Sequence, residues 1–166
     1  ATGIERFVEV MDMDNEIFDH DQATDLNDVD GKIEFDHVYF KYPETREDEP
    51  YVLEDINFDV NVGENIALVG PSGAGKTTIS KLIPRFYDID EGAIRVDGKD
   101  IRDLTLESLR DNIGIVQQDV YLFSGSVKDN IRYGKDNASD QEILRAAELA
   151  GATEFINDLP FGFDTY

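Results

Sequence analysis

Apolar and polar positions alternate through "GKIEFDHVYFKY", with Ile33, Phe35, Val38 and Phe40 as anchors, which predicts a strand with one buried face. The charged, Pro-bounded loop "PETREDEP" follows, and "YVLEDINFDV" then resumes the strand pattern, so an antiparallel pair is expected. "ENIALVG" is a nearly continuous apolar run, the pattern of a strand buried on both faces. Beyond it, Ile79, Leu82, Ile83 and Phe86 keep the i, i+3, i+4, i+7 spacing of an amphipathic helix. Pro84 lies inside that pattern and should kink or end the helix near its last turn. "GAIRVDG" predicts a short strand, "LTLESLRDN" a short helix and "IGIVQQ" a further apolar strand. The pattern then turns helical through "SVKDNIRYG" and "SDQEILRAAELAG". The second of these opens with Ser139 and Glu142 in capping-box spacing and closes on Gly151. Residues 1–30 are rich in Asp and Asn and, after a short helical start "ERFVEVMD", read as a linker into a domain at 31–166. The fold class expected is mixed α/β.

Composition narrows what such a chain can do. Its 166 residues, 40% of them hydrophobic, suit one globular domain or part of a larger one. No apolar run approaches the roughly 20 residues of a membrane-spanning helix. The first residues lack the basic-then-apolar pattern of a signal peptide. Without cysteine, the chain has no disulfide, thiol nucleophile or thiolate metal site. Fifteen basic residues against 37 acidic ones give a net charge of −22, which should repel nucleic acid and anionic bilayers alike. An anionic ligand must then be held by local geometry.

"GPSGAGKTT", residues 70–78, supplies such geometry. Gly70, Gly75, Lys76 and Thr77 match the pattern GxxxxGK[ST], and a strand pattern precedes the loop while a helix pattern follows it. Glycines let the backbone curl so that successive N–H groups point inward as an anion nest. The candidate phosphate-binding residues are therefore Gly70, Pro71, Ser72, Gly73, Ala74, Gly75, Lys76, Thr77 and Thr78. Lys76 can reach the β- and γ-phosphates, and the Thr77 hydroxyl can ligate Mg²⁺.

With these residues in place, the chain resembles the nucleotide-binding domains of ABC transporters, particularly the exporter type, over essentially its whole length. "GKIEFDHVYFKYP" is similar to the family's first strand and A-loop, and by that match Tyr42 is the aromatic residue that stacks on adenine. "RFYDIDEGAIRVDGKDIRDLTLESLR" is similar to the segment between Walker A and the Q-loop, and "IGIVQQDVYLFSGSVKDNIRYG" to the Q-loop and the entry into the helical subdomain. The match makes Gln118, rather than Gln117, the Q-loop glutamine that reaches Mg²⁺ and the attacking water. "ERFVEVMDMDNEIFD" resembles the stretch joining an exporter's last transmembrane helix to its ATPase domain. The resemblance implies a partial P-loop NTPase core with an antiparallel β subdomain and the start of a helical subdomain. It also implies ATP and Mg²⁺ as ligands and Lys76 as transition-state charge. The implied partners are a second nucleotide-binding domain and a transmembrane domain docking at residues 118–123. The implied location is the cytoplasmic face of a cell membrane. Pro84 and the long acidic loop "PETREDEP" depart from the family pattern without touching the phosphate site.

The sequence contains no run of four apolar residues followed by Asp-Glu, no LSGGQ signature and no histidine after the loop. His20 and His37 both precede the loop and are read as incidental. The chain is therefore expected to be the N-terminal part of the domain, able to bind ATP but not to hydrolyse it unaided. "ENIALVG" would then lack neighbouring strands and leave apolar surface exposed. Two other readings compete with this one. A soluble, non-transport ABC-type ATPase is disfavoured by the exporter-like linker and the acidic charge. A small P-loop kinase would need a lid of arginines, whereas Lys128, Arg132, Lys135 and Arg145 are spread along helices. Drugs, lipids and peptides remain open as substrates.

Overall fold

The computed structural model describes residues 3–11, 17–46, 48–116 and 121–166. The chain divides into two compact units, Ala1–Ile115 and Val116–Tyr166. In the first, α1 (Gly3–Met11) turns Ile4, Phe7, Val8 and Met11 to solvent. Strands β1 (Ile33–Phe40), β2 (Leu53–Val60), β3 (Glu91–Val96) and β4 (Lys99–Asp100) form an antiparallel sheet in the order β2-β1-β3-β4. The expected pairing of the first two strands is thus present.

The apolar anchors of β1 step by two, three and two residues, and the structure supplies the reason. His37 adopts φ 49° and Asp55, on β2, φ 50°, so each strand carries a bulge where the register slips. The slip returns Val38 and Phe40 to the face of Phe35, opposite Ile56 and Leu53. A Cβ on Gly92 would overlap the carbonyls of Asp36 and His37, and Gly92 has φ 87°. Only glycine lets β3 pass the bulge there.

The core joins this sheet face to α2 (Lys76–Leu82) and α3 (Leu106–Asp111) through Phe35, Val38, Phe40, Leu82, Ile94, Leu104 and Leu109. Phe35 stacks on Phe58 with ring centroids 4.5 Å apart. The helix α2 ends at Leu82, just before Pro84, as a proline at that position dictates. Arg85 follows at φ 52°. Arg110 donates to the carbonyls of Pro84 (3.0 Å) and Arg85 (2.9 Å), satisfying groups that the broken helix leaves without intrahelical partners. The segment 19–32 lies along this body. Leu26 is buried, and its N–H donates to Ser108 Oγ at 2.9 Å. The Asp97 carboxylate accepts the N–H groups of Asp30, Gly31 and Lys32 at 3.0, 3.0 and 2.8 Å.

Two strand expectations need correcting. Residues 64–70 of "ENIALVG" and 113–116 of "IGIVQQ" carry no strand. A strand exists only through a partner's hydrogen bonds, and among the described residues no strand pairs with either segment. The exposed apolar surface expected of "ENIALVG" is present, with Val69 88% exposed.

The second unit is helical, with α4 (Val127–Arg132), α5 (Asp140–Leu149) and α6 (Thr153–Asn157) gathered on buried Ile143, Ala147 and Ile156. Both α4 and α5 open with reciprocal capping boxes, Ser126 with Asp129 and Ser139 with Glu142. Ion pairs tie Lys128 and Arg132 to Asp140, and Lys135 to Glu142.

Candidate nucleotide site

The loop 70–75 runs from the unpaired segment 64–70 into α2. Gly75 is the N-cap of α2 at φ 79°, and Gly73 has φ 84°. A Cβ on Gly75 would overlap the Leu53 side chain, so glycine is needed there both for its conformation and for its closeness to β2. Around Gly73 there is open space. The loop is thus closed on its core side and open on its solvent side. Pro71, Ser72, Gly73 and Ala74 are exposed, and the Ala74 N–H donates to the Pro71 carbonyl at 3.3 Å.

Lys76 Nζ donates to the carbonyls of Gly70 (2.8 Å) and Pro71 (2.7 Å), so its ammonium curls back over the loop's entrance. Thr77 is exposed on the first turn of α2, and its carbonyl accepts from Ser80 Oγ at 2.9 Å. Thr78 is buried, and its hydroxyl lies 3.0 Å from the Tyr42 hydroxyl. The loop, its lysine and the candidate adenine platform are therefore brought together in one unit. Gln118 and Gln117 lie outside the described residues.

Around Tyr42 the structure adds residues that sequence reading passed over. Tyr87 meets Tyr42 edge-on with centroids 5.0 Å apart at 87°, and Phe40 does so at 5.0 Å and 79°. Lys81 Nζ lies 5.9 Å from the Tyr42 ring centroid, within cation–π range. In the sequence, "RFYD" is only the start of a longer family-like segment. The signal that could have singled out Tyr87 was its position just past the Pro84 break.

The donor set suits a nucleotide polyphosphate with Mg²⁺. A glycine-curled backbone and an ammonium suit an anion, a hydroxyl on the first helical turn suits a hard cation, and an aromatic ring suits a base. Among the described residues no group of carboxylates and histidines could hold a metal without the nucleotide. In the helical unit, Leu122, Phe123, Ile131, Phe155, Leu159 and Tyr166 line an apolar groove of about 600 Å³. Asn130 shapes its rim by bonding both the N–H and the carbonyl of Phe123, at 2.8 and 3.0 Å.

Comparison with known proteins points to one family. A family model described as "ABC transporter" matches residues 53–162. An ATP-dependent lipid A-core flippase of Desulfotalea psychrophila is 47% identical over 161 residues, 97% of this chain and 27% of the flippase. A putative multidrug export ATP-binding/permease protein of Staphylococcus aureus is 45% identical over 157 residues, 95% of this chain and 27% of its own length. The solved structure of a bacterial Atm1-family ABC exporter with ATP bound superposes with a TM-score of 0.85 at 41% identity. That match covers 98% of this chain and 28% of the exporter. The chain thus spans little more than a quarter of the length of the relatives it matches.

Proposed function

The chain belongs to the ABC transporter family, and on that premise we propose that it is the Mg·ATP-binding part of an exporter's ATPase domain. The observation that carries the proposal is the loop itself, with left-handed Gly73 and Gly75 and the Lys76 ammonium drawn over its mouth. A triphosphate entering the loop takes the Lys76 hydrogen bonds from the carbonyls of Gly70 and Pro71. Backbone N–H groups of 72–78 hold its oxygens, and Tyr42 stacks on the adenine. Thr77 and Gln118 are the residues proposed to hold Mg²⁺, which would supply positive charge against the phosphates. Lys76 is poised to stabilise charge that develops at the γ-phosphate.

In the whole protein, ATP binding and hydrolysis would drive export across a membrane, with two such domains pairing at the cytoplasmic face. The groove beside Phe123 supports the proposal that the transmembrane domain docks at residues 118–123, because it is apolar and opens to solvent. No helix of the described residues is long and apolar enough to cross a membrane. The substrate would be selected elsewhere. The kinase alternative is weakened by the cations it would need, because Lys128, Arg132, Lys135 and Arg145 each sit on a carboxylate of their own unit.

Calorimetric titration with Mg·ATP tests the proposal. Lys76→Ala is expected to abolish measurable binding, and unchanged affinity would remove the loop from the site. Steady turnover of ATP by these 166 residues alone would overturn the reading of a chain that binds without hydrolysing.

A further inference from the structure

We infer that Tyr87 and the Thr78 hydroxyl are positioning groups that fix the Tyr42 ring and so tie base recognition to the phosphate loop. The inference rests on the reading of Tyr42 as the adenine platform. Tyr42 is half-buried where β1 leaves the sheet, and its carbonyl opens the turn that accepts the Thr45 N–H at 2.9 Å. Nothing in that local backbone fixes where the ring points. Three side chains do. The hydroxyl is held by Thr78 at 3.0 Å, and Tyr87 and Phe40 both stand nearly perpendicular to the ring.

These partners are themselves anchored. Phe40 is a fully buried core residue, and its centroid lies 5.7 Å from that of Tyr87, so the three rings form one mutual cluster. Tyr87 is placed by the turn after Pro84. There the guanidinium of buried Arg85 pairs with Asp88 at 2.7 Å, and Arg110 clasps the carbonyls of Pro84 and Arg85. Thr78 is rigid because it belongs to α2 and is buried, and a buried hydroxyl needs its partner. Tyr42 is thus bonded to the residue two positions after Lys76. A base stacked on its ring and a phosphate chain in the loop would be held at a separation set by this one hydrogen bond and its aromatic brace.

The test is calorimetry on the full chain with Mg²⁺ and three ligands: ATP, ADP and inorganic tripolyphosphate, which lacks the base. Tyr87→Leu removes the brace, and edge-to-face pairs of this kind correspond to roughly three- to tenfold in affinity. That loss is expected for ATP and ADP, with tripolyphosphate unchanged. Tyr87→Phe should restore both nucleotides. Tyr42→Phe, which keeps the ring and removes the hydroxyl, should weaken ATP and ADP roughly two- to fivefold and spare tripolyphosphate. Unchanged nucleotide affinity in Tyr87→Leu, with affinity lost in Tyr42→Ala, would overturn the positioning role and leave the platform standing. Equal losses for ATP and tripolyphosphate would also overturn it, because the effect would then belong to the loop. If Tyr87→Leu does not fold, an unchanged ratio of ATP to tripolyphosphate affinity in Tyr42→Phe decides against the inference. Failure of the unaltered chain to bind any of the three ligands would instead sink the nucleotide-site reading.

Discussion

His37 Nδ1 lies 2.6 Å from Asp55 Oδ1, so the two left-handed bulge residues of neighbouring strands are joined to each other. Asn57 completes the link, accepting the His37 N–H at 2.8 Å and donating to Asp55 Oδ1 at 2.9 Å. The Asp55 carboxylate raises the His37 pKa above its ordinary value of 6.5, and the imidazole in turn lowers that of Asp55. Because the folded pKa of His37 exceeds the unfolded one, the pair stabilises the bulge fully from about pH 6.5 down to the ordinary carboxylate range near 3.8, below which Asp55 itself protonates. That contribution disappears as pH rises through the folded value. NMR titration of His37 should give a midpoint above 6.5, and Asp55→Asn should move it down.

Gly75→Ala places a methyl group against Leu53 at a backbone angle that alanine disfavours. The expected cost is roughly 2–4 kcal/mol, combining left-handed strain with overpacking. Chemical denaturation followed by circular dichroism measures it. Gly73→Ala, at φ 84° but in open space, should cost less than Gly75→Ala, because it brings the left-handed strain without the overpacking.

The α5 capping box should appear as an acid transition of the helical unit. Lys135 and the Ser139 groups lower the Glu142 pKa to about 2 from the ordinary 4.5. A depressed carboxylate stabilises the fold above its unfolded pKa, so this contribution is intact at neutral pH and is lost as pH falls from about 4.5 to about 2. Hydrogen exchange of α5 amides across that range should speed up, and Glu142→Gln should flatten the response. Ser139→Ala, which removes the cap, should cost about 1 kcal/mol at neutral pH.

Local pattern was enough for the end of α2 before Pro84 and the Ser139 cap, because each depends on neighbours within a few residues, and two consecutive alternating segments joined by one loop were enough to suggest the antiparallel pair. The bulges were half legible. The step from Phe35 to Val38 breaks strict alternation, yet only the partner strand shows that His37 and Asp55 absorb it together. "ENIALVG" was read as a buried strand from its composition, but pairing is a long-range property and no described strand borders it. At the site, the phosphate loop could be read from its glycines and lysine. The Tyr87 brace could not, since it joins rings 45 positions apart that meet only after the chain turns at Arg85.

The cations of the helical unit are neutralised by their own carboxylates, and the chain as a whole carries −22. A polyanionic nucleotide therefore approaches uphill and is attracted only over the last few ångströms, where Lys76 and the loop take over. Dissolved salt shortens the reach of that repulsion to about 8 Å at physiological ionic strength, while contacts inside the loop are screened far less. Nucleotide loading should accordingly speed up as salt is added, the reverse of the trend at a basic binding surface. For this molecule ionic strength acts on the rate of encounter, and brine is an accelerator.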